Sequence, residues 1–267
     1  MNRIILGEFA SHRKGDRGKE ETGWILLGHR TEREAVVLAT LPAGSRRDAG
    51  VAHVRFNTTA QALAGRIVRQ WDKRLTTLGV LHTHPGSLRH PSSGDYRGDS
   101  QWVGQLKGKE GVFGIGTADG TPSGTFEVAS HPKKHVQQMG ELCLSWYALG
   151  EGERKYRPLE MDLTLGPDLA FPLRPLWSII EMHAPQLERL VLQQQRVRFD
   201  VIKLGGSPCL SVSVPLAEAS NEIRVLFTEK GPQYYVVRGP ELIGVDPNES
   251  HVDSVVYMIL AKLSNSS

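Results

Sequence analysis

Residues 78–95 read Leu78-Gly79-Val80-Leu81-His82-Thr83-His84-Pro85-Gly86-Ser87-Leu88-Arg89-His90-Pro91-Ser92-Ser93-Gly94-Asp95. The apolar opening is of the length and type of a buried strand, and Pro85 ends it because proline has no N–H for a sheet ladder. A Gly/Ser/Pro loop follows, then a short helix expected from Ser93 or Gly94 to about Lys107. Successive side chains of a strand alternate faces, so His82 and His84 point to the same side, where two imidazoles can reach one ion. Asp95 returns from the far end of the loop. Two histidines and one carboxylate, with a fourth position for water, form the ligand set of a catalytic rather than a structural zinc site. Two bland readings stand beside this one. A His-x-His pair also occurs as surface residues at a strand end, and Ser-x-x-Asp before a helix is a capping pattern that accounts for both residue types.

Outward from this stretch, residues 23–30 and 35–42 read as two strands, each a short run of apolar β-formers bounded by polar residues. Ala60, Leu63, Ala64, Ile67, Val68 and Trp71 recur at helical spacing within residues 58–75, with Asn57 or Thr58 available as N-cap, which implies a helix on a sheet. Further strands are expected at 111–118, 125–129 and 141–148, with 156–165 returning. Gly166-Pro167, Pro172 and Pro175 mark a change of composition that suits a linker. The boundary falls near residue 166, giving an α/β module at 1–165 and a smaller α+β module at 166–267. That second part reads as one helix or two (176–183 and 186–195, divided by Pro185), four short strands between Val197 and Arg238, and a last helix near 252–263.

The composition, 39% hydrophobic and 23% charged over 267 residues, is that of a folding globular chain. No apolar run approaches the roughly 18–20 residues that span a bilayer. Glu8 interrupts the opening segment too early for a signal-peptide core, so a cytoplasmic protein with no membrane partner is expected. Cys143 and Cys209 lie far apart with no CxxC spacing, so neither a disulfide framework nor a thiolate metal site is indicated, and both read as buried small hydrophobes. The net charge is +3. Basic clusters such as Arg13-Lys14-Gly15-Asp16-Arg17 and Arg46-Arg47 lack interleaved aromatics, so they read as solvated loops and not as a nucleic-acid surface.

His82-Thr83-His84-Pro85, seven residues between His84 and Ser92, and Asp95 three beyond Ser92 reproduce a known signature. The pattern resembles the JAB/JAMM (MPN) zinc metalloproteases, in particular prokaryotic JAB peptidases similar to deubiquitinase-like isopeptidases. Upstream, Glu21-Thr22-Gly23-Trp24-Ile25-Leu26-Leu27-Gly28 resembles the family's first motif, a Glu seven residues before the Gly that closes an apolar strand. The resemblance covers roughly residues 1–165. It implies a cytidine-deaminase-like mixed sheet flanked by helices, with Zn2+ on His82, His84 and Asp95. It also implies Glu21 as the base that takes a proton from water and Ser92 as a hydrogen-bond donor to the developing oxyanion. The family often has Gly where this chain has Trp24, with Gly23 one place earlier; a one-residue insertion would make Glu20 the base. Glu21 is preferred because its distance to Gly28 fits without a gap and Glu20 would sit on the opposite strand face.

Members that keep this metal set cut amide or isopeptide bonds at the C-terminal tails of ubiquitin-like proteins. The resemblance therefore implies a ubiquitin-like protein or its conjugate as substrate, with E1- and E2-like proteins as partners in a bacterial pathway. Trimming of a sulfur-carrier protein would use the same residues. A non-catalytic MPN scaffold is the reading of another class, and its members usually lack part of the metal set. A DNA-repair-associated JAB protein usually has Ser-Gly after the His-Pro, where this chain has Gly86-Ser87. The helix, four-strand, helix order of the tail resembles the E2/RWD layout and suggests a binding or dimerisation module. No cysteine follows the strands, so conjugating activity is not implied. His29, His90, His131 and His135 have no ligand spacing, and Trp102 reads as core.

Overall fold

The computed structural model describes residues 2–46, 48–56, 58–120, 130–162, 166–218 and 220–265, the side chains of Asn2 and Arg3 excepted. The chain folds as two compact units, Met1–Gln61 with Arg74–Phe171, and Ala62–Lys73 with Pro172–Ser267. Among the described residues no helix is long and apolar enough to cross a membrane.

The first unit is built from α1 (Asn2–Lys14), β1 (Gly23–Arg30), β2 (Ala35–Pro42), β3 (Thr76–Thr83), α3 (Ser93–Trp102), β4 (Glu110–Thr117), β5 (Ser130–Lys133), β6 (Val136–Met139), β7 (Leu142–Gly150) and β8 (Arg157–Pro158), with α2 (Thr59–Trp71) between β2 and β3. The sheet runs β2-β1-β3-β4-β7-β6-β5, with β8 on β7. Every pair is antiparallel except β3 with β4. Parallel neighbours need a crossover, and α3 supplies it. The loop after β3 and the start of α3 thus lie at the carboxyl end of the parallel pair, where open α/β sheets leave a crevice. Gly79 permits this pairing: a Cβ there would stand 1.8 Å from the Val112 carbonyl oxygen.

The expected 58–75 helix is realised as α2, capped reciprocally by Thr58 and Gln61. Gln61 N–H donates to Thr58 Oγ1 at 3.2 Å, and Thr58 N–H donates to Gln61 Oε1 at 3.2 Å. Asn57, the other candidate cap, lies outside the described residues, as does the expected strand at 125–129. The returning segment 156–165 is a strand only at Arg157–Pro158, and residues 163–165 are outside the description. The β5–β6 hairpin and α1 were not legible in the sequence. Helix α1 is held through Ile5, Leu6 and Phe9, which join Trp24, Leu26, Leu81 and Trp146 in one buried cluster. The Trp24 indole N–H donates to the Glu8 carboxylate, so the bulky residue at this position ties α1 to β1.

The second unit contains α4 (Trp177–Gln193), β9 (Arg198–Leu204), β10 (Ser207–Pro215), β11 (Asn221–Thr228), β12 (Gly231–Arg238), β13 (Glu241–Val245) and α5 (Val252–Ser264). Its sheet is an antiparallel meander in the order β13-β12-β11-β10-β9. The four strands expected between Val197 and Arg238 are β9 to β12, and a fifth, β13, follows them because Gly239, at φ 55°, turns the chain between the paired residues Arg238 and Glu241. Pro185 does not divide α4. Ile180, Ala184, Leu187 and Leu190, on either side of it, are at most 1% exposed, and this buried face holds the helix together despite the lost N–H. Residues 62–73, most of α2 and the two residues after it, fold with this unit rather than with the strands that flank them in sequence. Gln70 explains the attachment: its amide donates to Val197 O at 3.0 Å and accepts from Phe199 N–H at 2.9 Å, pairing with the start of edge strand β9. The passage from the first unit to the second accordingly falls at Phe171/Pro172, with α2 shared between them, beside the sequence boundary near 166.

Candidate metal centre

Backbone pairing sets the histidines. His82 lies opposite Gly23 of β1 and Ile115 of β4, Thr83 N–H donates to Thr22 O at 2.8 Å, and His84 N–H donates to Gly116 O at 2.8 Å. The strand alternation therefore continues through His84 and turns both imidazoles to one side, with ring centroids 4.9 Å apart. Asp95 is the third residue of α3 and faces them: His82 Nε2 is 3.1 Å from Oδ1, and His84 Nε2 is 3.3 Å from Oδ2. The two Nε2 atoms are 3.1 Å apart. One donor atom from each residue lies within 4.8 Å of the others, and this is the one such group among the described residues.

Ser92 caps α3. Its Oγ accepts from Asp95 N–H at 3.2 Å, while the Asp95 carboxylate accepts from Ser92 N–H. The capping box starts the helix and also locks the Asp95 rotamer toward the histidines. Because the hydroxyl serves here as acceptor, its own hydrogen remains available for donation. His84 Nδ1 lies 2.8 Å from Leu88 O. A carbonyl only accepts, so Nδ1 carries the hydrogen and Nε2 presents a lone pair. Burial alone would raise the Asp95 carboxyl, but hydrogen bonds from the His82 and His84 rings, when these carry a proton on the nitrogen facing it, outweigh burial and hold the group well below the usual range. The same exchange works on His84, where burial pulls down and the Asp95 and Leu88 hydrogen bonds raise it above its ordinary value.

Two imidazole nitrogens and a carboxylate oxygen converging at this spacing fit a zinc ion, and the two nitrogens are poorly suited to calcium or magnesium, which favour all-oxygen shells. Glu21, just before β1, is 5% exposed, and its N–H donates to Gly50 O at 2.7 Å. Burial pushes its carboxyl up to about 7; the charge of His84 works against this and that of Asp95 adds to it. Glu20 is paired with Arg17 at 2.5 Å, its carbonyl lies 2.8 Å from His12 Nε2, and it lines the cleft beside His84. A cleft of about 410 Å³ opens beside His84, walled by Phe9 and His12 of α1, Lys19, Gly86 and Asp119.

The remaining histidines stand outside the three-atom group; His135 packs on Tyr147 with centroids 5.6 Å apart. Trp102 packs edge-on to Phe113 at 5.7 Å, as a core residue does. The sequence reading missed Asp99, one turn beyond Asp95 on α3, whose carboxyl accepts from Tyr156 O–H at 2.7 Å. Its spacing of four residues from Asp95 was the available signal.

Residues 3–128 match the family model of prokaryotic homologs of the JAB domain. This segment is a JAB domain. The matched residues carry Glu21, His82, His84, Ser92 and Asp95, and the mixed sheet with its helices is the fold expected of such a domain. No curated protein matches the chain.

Proposed function

We propose that the JAB domain is a JAMM-type zinc metallopeptidase that hydrolyses an amide or isopeptide bond. The observation that carries this reading is the convergence of His82 Nε2, His84 Nε2 and the Asp95 carboxylate, with buried Glu21 close enough to feel the charges of His84 and Asp95. Zinc held by these three side chains would supply a polarised carbonyl and a water whose pKa is lowered to about 7. Glu21 would act as the base, taking a proton from the water that attacks the carbonyl carbon and delivering it to the leaving nitrogen as the C–N bond breaks. Ser92 donates its hydroxyl hydrogen to the carbonyl oxygen as negative charge develops there. Asp95 keeps its position through the Ser92 cap while the histidines keep theirs through the β1–β3–β4 ladder.

The substrate proposed is the C-terminal tail of a ubiquitin-like protein, either conjugated or as a precursor, in a cytoplasmic bacterial pathway. The motif resemblance supports this, together with the cleft beside His84, which can take an extended chain. Residues 166–267 are proposed as a module that binds substrate or partner. A complete ligand group weighs against the scaffold reading, since a domain that only binds has no need of three converging donors.

The test is zinc content by elemental analysis, joined to cleavage of a panel of ubiquitin-like proteins carrying short C-terminal extensions or isopeptide-linked lysine. One zinc per chain and release of the extension are expected. A chain that binds no zinc and cleaves no panel member with zinc supplied would sink the reading.

A further inference from the structure

We propose that Tyr147 and Asp119 are positioning residues that clamp Arg89, and through the neighbouring Leu88 carbonyl hold the His84 imidazole with Nδ1 protonated and Nε2 turned to the ion. This rests on the zinc reading above for its functional meaning, though not for its structural content.

The difficulty that a clamp solves is plain from the loop itself. Residues 85–88 are all exposed, Leu88 is 42% exposed, and Gly86 sits at φ 118° with nothing within 4 Å of where a Cβ would be. So open a loop has little packing to fix it, yet the Leu88 carbonyl in it is the partner that sets the His84 tautomer, at 2.8 Å. Among the described residues, backbone groups anchor the loop at its ends, where His84 N–H meets Gly116 O and Ser92 joins the α3 cap. Between them, Arg89 is bound twice. Tyr147 O–H donates to Arg89 O at 2.8 Å, and Arg89 Nε lies 3.1 Å from both Asp119 oxygens.

Both anchors are themselves fixed. Tyr147 belongs to β7, opposite Phe113 of β4, and its ring packs against Tyr156 and His135. Asp119 stands two residues past the end of β4, and its carboxylate accepts from Thr117 Oγ1 at 2.7 Å. Burial alone would raise that carboxyl, but the hydrogen bonds from Thr117 and Arg89 prevail and keep it below its ordinary value, so it is charged when it meets Arg89. Since β3, β4 and β7 are consecutive in the sheet, the loop is referenced to the same strands that carry His84. The hydrogen-bond partners of metal-binding histidines typically matter by about 10–100-fold in affinity or activity.

The experiment uses the full chain stripped of metal by chelator. Zinc is titrated calorimetrically into wild type, Tyr147→Phe, Asp119→Ala, the double variant, and Asp119→Asn, which keeps an acceptor for Arg89. The His84 Nδ1–H signal is followed in parallel by nitrogen-15 NMR on metal-free protein. Because either anchor alone still holds Arg89, each single variant should lose affinity by severalfold, and the double variant by about 10–100-fold. Asp119→Asn should recover most of the Asp119→Ala loss. The Nδ1–H signal should persist in wild type and broaden away in the double variant. Val225→Ala, a core truncation in the second unit, should lower the melting temperature with zinc affinity unchanged, which separates positioning from general destabilisation. A double variant that binds zinc within twofold of wild type, or that keeps the His84 Nδ1–H signal, would overturn the clamp. If wild type itself binds no zinc, the metallopeptidase reading fails, and the NMR signal in the metal-free chain still decides the clamp.

Discussion

Glu21→Gln is the substitution that separates chemistry from binding most cleanly. Gln keeps the shape of the side chain and removes only its capacity to accept and return a proton. Positioned proton transfer of this kind contributes about 10²–10⁴ in rate, equivalent to about 3–5 kcal/mol of barrier. The variant should therefore lose at least about a hundredfold in kcat while KM and zinc content hold. Stability should move the opposite way. Burial raises the Glu21 carboxyl from 4.5 to about 7, so between those values the folded chain holds a proton that the unfolded chain has released. Folding is then opposed progressively as pH rises through this window, by at most about 3 kcal/mol above pH 7. Gln has nothing to ionise, so metal-free Glu21→Gln should melt close to wild type at pH 4.5 and above it at pH 8. The assay is a pair of calorimetric melts at those pH values on chelator-treated protein, with steady-state cleavage of the best panel substrate on zinc-loaded protein. A kcat within tenfold of wild type would refute the assignment, and so would loss of activity in Glu20→Gln with Glu21→Gln intact.

Asp95→Asn should abolish stoichiometric zinc, read by elemental analysis, because it removes the charge from the ligand group; chelator should lower the melting temperature of wild type and leave that of Asp95→Asn unmoved. Gln70→Ala strands Val197 O and Phe199 N–H at the edge of β9 and should cost about 1–3 kcal/mol in urea unfolding without changing zinc affinity. A chain ending at Phe171 separates residues 62–73 from the rest of the unit they fold with, so it should be less soluble and melt lower than the full protein, as differential scanning would show. Burial lifts the Asp99 carboxyl to about 7 even though Tyr156 donates to it, so its contribution to stability should fall as pH rises from about 4 to 7; Asp99→Asn should flatten that part of the pH–stability profile.

What the sequence determined by itself is local in origin. The alternation that puts His82 and His84 on one face depends on residues two apart, and the cap that aims Asp95 depends on Ser92, three apart; such relations survive in any context that keeps the strand and the helix start. The strands 23–30 and 35–42, the Thr58 cap and the last helix were readable for the same reason. Tertiary structure decided whatever joins distant positions. Trp24, an oddity beside Gly23 in the sequence, is explained only by α1 lying against it. The far end of α2 goes to the second unit because Gln70 meets strand residues 127 and 129 positions away. Pro185 reads as a break until the buried face of α4 on both sides of it is seen to outweigh one lost hydrogen bond. Tyr147 and Arg89 meet 58 positions apart, at a loop whose own residues carry no trace of the contact. Glu21 is legible as a carboxylate in the right place, but its proton affinity comes from exclusion of water by neighbours drawn from several strands and loops, and desolvation is a property of the assembled fold that no spacing encodes.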